Sequence, residues 1–389
     1  MTEKETEKTA VAVFLQKYWG NKMSFVERQL NCLSSYYKML VITPVIEVPG
    51  TSPEFEIYAR EKLITEKAYS LFYKNIFSRF TILSFSQKNY FKKVLRENGV
   101  KLIHAHFGPA GFQVLPLAKA LNIPLVVTFH GYDASKLFDN KVYNKNIREV
   151  FNYAHILCVS AFMRRKLIEK GADPERVQVN YLGIPLNNFR YTHRESPAEK
   201  HASGKEIKFL QVANFQEKKG HIYTIRVFKR LLGEYPNLRL TLVGSGQLES
   251  QIKSLCISEG INERVTFTGN LQVKEIIKHM EEADIFLHHS VTTESGDQEG
   301  IPTSIMEAMA TGLPVISTVH AGIPELVQDG ATGFLVPEKD EEAYFEKIRL
   351  AINIDNQMGL KAYEFINENF NLDIQTEKLS GIYNSLISA

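Results

Sequence analysis

Short apolar runs alternate with longer amphipathic runs along almost the whole chain. The short runs are typical of buried strands, and the longer ones have the apolar spacing of helices. In the first half, the predicted strands are residues 11–15, 39–43, 101–106, 124–129, 156–160 and 177–179. In the second half, they are residues 209–213, 238–243, 265–267, 284–288 and 315–317. Strands that alternate with helices favour parallel sheets, so the pattern predicts an α/β protein with doubly wound domains.

The alternation is interrupted by a turn-rich and then polar stretch over residues 183–205. Such a composition is typical of a linker between domains. We therefore predict an N-terminal domain over residues 1–190 and a C-terminal domain over residues 191–370. At 389 residues, the chain is long enough for each domain to have its own core.

Composition narrows the functional class. The chain is 44% apolar and 23% charged, as globular proteins are. Its net charge of +2 does not indicate a nucleic-acid binder. The widely spaced Cys32, Cys158 and Cys256 predict reduced thiols and a cytoplasmic protein rather than disulfides or a zinc site. The N-terminus lacks a signal-like apolar segment, and no apolar run approaches the ~20 residues of a membrane span.

Residues 296–318, which read GDQEGIPTSIMEAMATGLPVIST, predict a loop, a helix over 304–310 and a strand. The free N–H groups and positive dipole end at the start of that helix suit an anion such as a diphosphate. Glu299 in the loop and Glu307 in the helix would add two acceptors for sugar hydroxyls. The alternative is structural, because Ser304 and Glu307 have the spacing of a capping box and Glu299 could be an ordinary loop carboxylate.

Histidines mark the ends of two predicted strands. His130 and Asp133 directly follow one strand, at the carboxyl edge where open α/β sheets bind ligands. This place favours a functional role for His130 over a structural one. His104 and His106 lie two residues apart within a strand and without nearby carboxylates, which does not favour a metal site. We expect His104 to pack in the core and His106 to reach the ligand edge.

Glycines follow two further strands. Gly20 lies in the turn after the first strand, without the GxGxxG pattern of a dinucleotide fingerprint. Gly244 and Gly246 follow the strand over 238–243. They would let the backbone approach a ligand closely, or they would simply form a tight turn, and both interpretations stay open.

The segment over residues 67–96 is basic and aromatic and contains no acidic residue. Its charged residues are Lys67, Lys74, Arg79, Lys88, Lys92, Lys93 and Arg96. Its aromatic residues are Tyr69, Phe72, Tyr73, Phe77, Phe80, Phe85, Tyr90 and Phe91. Such a segment suits an anionic membrane surface. The alternative is a pair of helices whose aromatic side chains pack on the sheet while the lysines face water.

Taken together, these motifs resemble a retaining glycosyltransferase of family 4 with the GT-B fold, in which two Rossmann-like domains face a cleft. The segments that carry the resemblance are IHAHFG at 103–108, TFHGYD at 128–133, AxFxxKKG at 213–220, LVGSG at 242–246, VTFTGNL at 265–271 and the Glu-x7-Glu block. Similarity is greatest to enzymes that build bacterial capsule, exopolysaccharide or lipopolysaccharide. The resemblance also implies that the C-terminal helix, 371–389, completes the N-terminal, acceptor-side domain.

The resemblance implies roles for particular residues. His130 would lie beside the reacting face of the donor sugar, Glu299 would bind sugar hydroxyls, and Lys219 would neutralise the diphosphate. These three are the expected catalytic residues. The expected substrate-binding residues are Gly20, Asp133, Asn214, Lys218, Gly244, Gly246, Gly269, Asn270, Leu271, Gly300, Ile301, Pro302, Thr303 and Glu307.

Each group of binding residues would contact a different part of the donor. Glu307 would hold the ribose, backbone N–H groups around 300–303 the diphosphate, and the turn at 269–271 the base. Gly20 would cover the phosphates from the N-terminal domain. The family usually has an arginine at the position of Asn214, so this chain is left with Lys219, Lys218 and the helix end as its positive groups.

The expected reaction moves a sugar from a nucleoside diphosphate to a saccharide or lipid-linked acceptor, with retention of configuration. The chain contains no Asp-x-Asp motif, so we expect no metal and no cofactor apart from the donor substrate. One alternative is a glycoside hydrolase or phosphorylase, although both glutamates lie in one loop–helix unit and hydrolases need carboxylates on both sides of the bond. Another is a nucleotide-sugar-binding scaffold without transfer activity. We expect a cytoplasmic protein in peripheral contact with the membrane's inner face.

Overall fold

The structure is a computed structural model that describes residues 8–18, 24–46, 54–63, 65–67 and 79–389. It divides into two compact units. Unit 1 consists of Met1–Gly183 and Leu372–Ala389, and unit 2 consists of Ile184–Asn371. The division after Gly183 replaces the boundary expected after residue 190. Gly20 and residues 68–78 of the basic and aromatic segment lie outside the described residues.

Unit 1 contains a seven-stranded parallel sheet with the order β3-β2-β1-β4-β5-β6-β7. Its strands are β1 Ala10–Phe14, β2 Lys38–Thr43, β3 Glu56–Ala59, β4 Leu102–His106, β5 Leu125–Phe129, β6 His155–Cys158 and β7 Val177–Val179. The helices before residue 183 in the described part are α1 Ser24–Leu33, α2 Phe85–Glu97, α3 Gly108–Leu121, α4 Lys141–Phe151 and α5 Ala161–Glu169. Every side chain of β1, β4 and β5 is buried, as in a sheet covered on both faces.

Unit 2 contains a six-stranded parallel sheet with the order β10-β9-β8-β11-β12-β13. Its strands are β8 Ile207–Val212, β9 Leu238–Val243, β10 Val265–Gly269, β11 Ile285–His288, β12 Val315–Thr318 and β13 Gly333–Val336. Its helices are α6 Pro197–Ala202, α7 His221–Leu232, α8 Glu249–Ser258, α9 Val273–Glu282, α10 Thr303–Ala310, α11 Glu341–Ile352 and α12 Gln357–Asn369. The alternation of strands and helices predicted this doubly wound class correctly.

Each sheet changes its winding direction once, between β1 and β4 in unit 1 and between β8 and β11 in unit 2. Open parallel sheets bind ligands at such a point, beyond the carboxyl ends of the strands. The segment 213–220 follows β8, and the segment 289–302 follows β11. Topology therefore brings the loop of Lys219 and the loop of Glu299 to the same edge of the unit 2 sheet.

The predicted linker is wrong, because residues 184–205 fold as part of unit 2. Phe189 is buried in that unit. The guanidinium of Arg194 donates to the carbonyl oxygens of Ala283 and Thr311, each at 2.7 Å. Burial lowers the pKa of Arg194 to about 10. Arg194 in this stretch therefore binds backbone groups of unit 2 and is not part of a free connection.

The chain ends in α13, Leu372–Ser388, which belongs to unit 1. Leu379 and Tyr383 are buried in the apolar core that also contains Val11 and Val13 of β1. The hydroxyl of Tyr383 lies 2.5 Å from Nδ1 of His104 in β4. The last helix thus packs against the sheet of the unit in which the chain begins.

The aromatic side chains in the described part of the basic and aromatic segment differ in burial. Phe91 in α2 is fully buried, as the structural alternative expects. Phe85, at the start of α2, is 77% exposed. The side chain of Ser84 caps this helix together with Gln87. Packing against the sheet therefore explains Phe91 but not Phe85.

Candidate functional site

Two lysines and two carboxylates meet at the switch point of the unit 2 sheet. Nζ of Lys219 lies 2.8 Å from Oε1 of Glu299, and Nζ of Lys218 lies 3.2 Å from Oδ2 of Asp297. All four side chains are at most 21% exposed. The structure brings together three residues that the sequence predicted for the site. Asp297 was missed, because nothing in its spacing relative to Lys218 indicated a pair.

The lysine loop is held against the segment after β11. Gln211 donates from its side-chain amide to the carbonyl oxygen of Lys219 at 2.9 Å, and the amide of Val291 donates to the carbonyl oxygen of Lys218 at 3.0 Å. Gly220 has a φ of 61°, and a Cβ there would lie 1.8 Å from the carbonyl oxygen of His289. Only glycine fits at this position, so the backbone that carries both lysines is closely packed.

The pKa of Glu299 reflects opposing influences. Burial raises the pKa of this carboxyl. The charges of Lys219 and Lys218 lower the pKa by more than burial raises it, so that it is about 2. The carboxylate is therefore ionised at neutral pH and the ion pair with Lys219 is intact. An ionised Glu299 can accept hydrogen bonds from hydroxyl groups but cannot act as a general acid.

We expect Glu299 to make the stability of unit 2 depend on pH. Its folded pKa, about 2, lies below the ordinary value of 4.5. The stabilisation is therefore fully present above pH 4.5 and is lost as the pH falls towards 2. A shift of this size corresponds to roughly 3 kcal/mol. Urea unfolding of the wild type and of E299Q across this range should show a steeper acid loss for the wild type, and equal slopes would contradict the ion pair. The exposed Glu294, changed to Gln, is the matched control.

The two positions after β9, Gly244 and Gly246, require glycine for steric reasons. A Cβ at Gly244 would lie 2.3 Å from the carbonyl oxygen of Ala213, and a Cβ at Gly246 would lie 2.6 Å from that of Phe215. The amide of Gly244 also donates to the carbonyl oxygen of Gly269 at 2.9 Å. These glycines let the loops after β8, β9 and β10 pack together at one edge. Contact with a substrate stays a prediction for Gly244, Gly246 and Gly269, as it does for Asn214, Asn270 and Leu271, which lie in the same loops.

The capping-box interpretation of α10 is wrong. The N-cap is Pro302, which provides no side-chain hydrogen bond, and Ser304 lies inside the helix. Pro302 also has no N–H, so among residues 300–303 the backbone donors are those of Gly300, Ile301 and Thr303. Glu307 lies on α10 and is 8% exposed. The start of α10 is therefore not capped by its own serine, which leaves the anion-site interpretation standing as a prediction.

The polar residues predicted for the site in unit 1, His130 and Asp133, follow the end of β5. Asp133 is buried, and its carboxylate accepts hydrogen bonds from the amides of Gly108 at 2.8 Å, His130 at 3.0 Å and Gly131 at 3.1 Å. Burial raises the pKa of Asp133, and these donors oppose the rise. Asp133 thereby ties the start of α3 to the loop of His130. Direct contact of its carboxylate with a substrate stays a prediction.

Three histidines lie next to one another in unit 1. Nδ1 of His106 lies 3.0 Å from Nε2 of His130. His104 is buried between the hydroxyls of Tyr383 at 2.5 Å and Thr128 at 2.7 Å. Burial lowers the pKa of His106 to about 3 and holds the pKa values of His104 and His130 well below 6.5. All three imidazoles are therefore neutral at neutral pH, and Nδ1 of His130 has no partner among the described residues.

A cavity of about 820 Å³ opens at the carboxyl edge of the unit 1 sheet. Leu15, Val45, Phe107 and Leu137 line it with apolar surface, and His106 borders it. The lysines that line the same cavity are Lys17, Lys62 and Lys67. Glu61 and Asp133 also border it. Its apolar walls and lysines could accept a ligand that is largely apolar and carries a negative charge.

No group of three or more His, Cys, Asp or Glu side chains in residues 8–18, 24–46, 54–63, 65–67 and 79–389 is arranged to hold a metal ion. The ammonium groups of Lys218 and Lys219 lie at the ligand edge of the unit 2 sheet. These ammonium groups and the first turn of α10 are the positive groups that could face a phosphate.

Comparisons with known proteins identify the family of this chain. The family model for glycosyl transferases group 1 matches residues 193–368, and the model for Glycosyltransferase Family 4 matches residues 44–188. The WcaL glycosyltransferase of Salmonella typhimurium, assigned to colanic acid biosynthesis, is 31% identical over 289 residues, which are 72% of this chain and 70% of that protein. The amylovoran biosynthesis glycosyltransferase AmsK of Erwinia amylovora is 35% identical over 241 residues, covering 61% of this chain and 58% of that protein.

Solved structures share the fold of the whole chain. Anabaena Alr3699/HepE in complex with UDP and glucose aligns with 97% of this chain and 100% of that chain, with a TM-score of 0.75 at 17% identity. WaaG, a glycosyltransferase involved in lipopolysaccharide biosynthesis, aligns with 96% of this chain and 99% of that chain, with a TM-score of 0.69 at 19% identity. The two doubly wound sheets are those of a GT-B glycosyltransferase. The chain belongs to glycosyltransferase family 4, as the motifs predicted.

Proposed function

We propose that this chain is a retaining glycosyltransferase that moves a hexose-type sugar from a nucleoside diphosphate to a saccharide or lipid-linked saccharide acceptor. The proposed role is the synthesis of a bacterial surface polysaccharide, on the cytoplasmic side of the membrane. The observation that carries the proposal is the Lys219–Glu299 pair at the switch point of the unit 2 sheet. The relatives named for colanic acid and amylovoran biosynthesis support the proposed pathway class.

The donor part of the proposal rests on charge. A departing nucleoside diphosphate develops negative charge, and preorganised cations and N–H groups stabilise it by about 3 kcal/mol for each donor. Lys219, Lys218 and the start of α10 lie at one edge of the unit 2 sheet, where they would stabilise this charge. Glu299 would accept hydrogen bonds from sugar hydroxyls. Anabaena Alr3699/HepE, which has a similar fold, was solved in complex with UDP and glucose, and this supports a nucleotide-sugar donor.

We propose that the reaction needs no metal, because two lysines are present and the Asp-x-Asp motif is absent from the sequence. Transfer that continues undiminished in EDTA would agree with this, and activity restored only by a divalent cation would contradict it.

The anomeric configuration of the product, read by NMR coupling constants, tests retention.

The acceptor part of the proposal rests on the unit 1 cavity. Its volume of about 820 Å³ exceeds the needs of one sugar ring, and its apolar walls with lysines suit a lipid diphosphate. Transfer to a lipid-linked acceptor but not to the free sugar would support this assignment.

We also propose peripheral contact with an anionic membrane through residues 67–96. The exposed Phe85 and the lysines of α2 support it, because apolar and basic side chains together favour such a surface. No helix in the described ranges is long and apolar enough to cross a membrane. Sedimentation with phosphatidylglycerol vesicles at low salt should be weaker for F85E than for the wild type, and equal sedimentation would contradict this surface.

The donor experiment is a thermal-shift panel of UDP, GDP, ADP and their sugars. A ligand at 100 times its Kd stabilises by about 2.7 kcal/mol, which is readily measured. Stabilisation by one nucleotide and its sugar, followed by transfer of labelled sugar, is the expected result. Stabilisation without transfer would instead indicate a nucleotide-sugar-binding scaffold, which the asparagine at position 214 favours. No stabilisation by any member would overturn the proposal.

A further inference from the structure

Glu338 lies in the turn after β13, and its carboxylate joins the ends of three neighbouring strands of unit 2. It accepts hydrogen bonds from the amide of Thr292 at 2.7 Å and from the hydroxyl of Thr292 at 3.1 Å, in the loop after β11. It also lies 2.6 Å from Nδ1 of His320, which follows β12. One carboxylate thereby connects segments that are far apart in the chain.

The hydrogen bonds of His320 define its tautomer. The amide of Glu299 donates to Nε2 of His320 at 3.1 Å, so Nε2 carries no proton. The proton of the neutral ring is therefore on Nδ1, where it is donated to Glu338. The ring is fully buried, and a doubly protonated ring would have no lone pair for the Glu299 amide. His320 thus connects the carboxylate of Glu338 to the backbone amide of Glu299 through one hydrogen bond at each ring nitrogen.

Thr292 forms a second connection to the same loop. Its hydroxyl donates to Glu338 and accepts from the side-chain amide of Gln298 at 3.0 Å. Gln298 and Glu299 are consecutive residues, and each reaches Glu338 through one intermediate side chain. The loop that carries the donor-facing carboxylate is therefore held at two successive positions.

Glu338 is itself firmly placed. Burial raises the pKa of its carboxyl, but the hydrogen bonds from His320 and Thr292 outweigh burial and lower it. The next residue, Lys339, has a φ of 64° and donates its amide to Nε2 of His289 at 3.1 Å. A non-glycine residue in the left-handed region costs free energy that the surrounding contacts must offset. The turn that presents the carboxylate is therefore constrained by its surroundings.

We propose that Glu338 is a positioning residue for Glu299 and acts through His320 and Thr292. The inference rests on the proposed function, in which Glu299 binds the donor sugar. Each loop residue that must be ordered on binding costs backbone entropy. A loop already held at 298 and 299 avoids part of that cost when the donor binds.

The first test is spectroscopic and does not require a donor. In the full chain labelled with ¹⁵N, the His320 ring should show a protonated Nδ1 and an unprotonated Nε2. Amide hydrogen exchange at Glu299 should be slow in the wild type and faster by at least about tenfold in H320L and E338Q, because the hydrogen bond or its anchor is lost. The opposite tautomer, or unchanged exchange in both variants, would overturn the proposal even if the donor proposal holds.

The second test is a double-mutant cycle with the nucleotide sugar identified by the thermal-shift panel. H320L and E338Q should each lower kcat/KM by roughly ten- to hundredfold, whereas in the E299Q background either change should have an effect of about twofold or less. H320Q should retain more activity than H320L, because a glutamine amide can accept from Glu299 and donate to Glu338. H201L, at an exposed histidine of α6, is the control and should behave as the wild type.

A purely structural role predicts a different result. The loss in H320L and E338Q would then persist undiminished in the E299Q background and would follow the loss of folding stability. That result would overturn the positioning role. If the panel identifies no nucleotide ligand, the donor proposal fails, and the tautomer and exchange measurements alone decide the geometry.

Discussion

Replacing Lys219 by methionine should lower kcat/KM for sugar transfer by about two to three orders of magnitude. Methionine keeps much of the length of the side chain but removes the positive charge that lies 2.8 Å from Glu299. Loss of one preorganised donor to a developing charge typically costs about 3 kcal/mol in the transition state. Steady-state kinetics with the identified donor measures the effect, and a kcat/KM within about threefold of the wild type would contradict the leaving-group role.

Two further variants separate catalysis from stability. K219M leaves the buried Glu299 without its partner, which commonly costs about 3–5 kcal/mol of stability, so activity must be measured where circular dichroism shows a folded protein. The double variant K219M/E299Q should recover stability but not activity. K218M is the matched control, because Lys218 pairs with Asp297 at a longer distance of 3.2 Å, and its loss in kcat/KM should be smaller.

Replacing Asp133 by asparagine should destabilise unit 1 and impair the loop of His130. The carboxylate accepts from the amides of Gly108, His130 and Gly131, and an asparagine side chain must turn its NH₂ group towards at least one of them. A buried N–H without an acceptor costs about 1–3 kcal/mol, so we expect a loss of about 2–4 kcal/mol.

Amide hydrogen exchange localises this effect within a two-unit chain. The amides of Gly108, His130 and Gly131 should exchange faster in D133N, while the amides of β8 and β11 in unit 2 should not change. D139N, at an exposed aspartate near the same loop, is the control. Unchanged exchange at all three amides would show that the carboxylate does not hold this loop.

The local sequence pattern was sufficient to predict most of the strands. The apolar runs identified most of the strands because a strand buried on both faces must be continuously apolar. The strand predicted over residues 238–243 has the bounds of β9. Local spacing misled at Ser304, where the capping-box pattern is present but the helix begins one residue earlier, after Pro302. Composition misled over residues 183–205, because the carbonyl groups that Arg194 binds are supplied by distant segments.

The candidate site was predicted in part. Lys219, Glu299 and His130 could be named because they lie within motifs of adjacent residues. Asp297 and His320 could not be assigned roles, because their partners lie in other loops.

The sequence by itself determined the α/β class, most strands and helices, and the motifs of family 4, because each of these depends on residues that are close together in the chain. Only the tertiary structure decided which side chains meet. Glu338, His320 and Thr292 are separated by many residues, but each follows a strand of β11, β12 or β13. Neighbouring parallel strands end side by side, so their following loops come into contact at distances that sequence spacing does not encode.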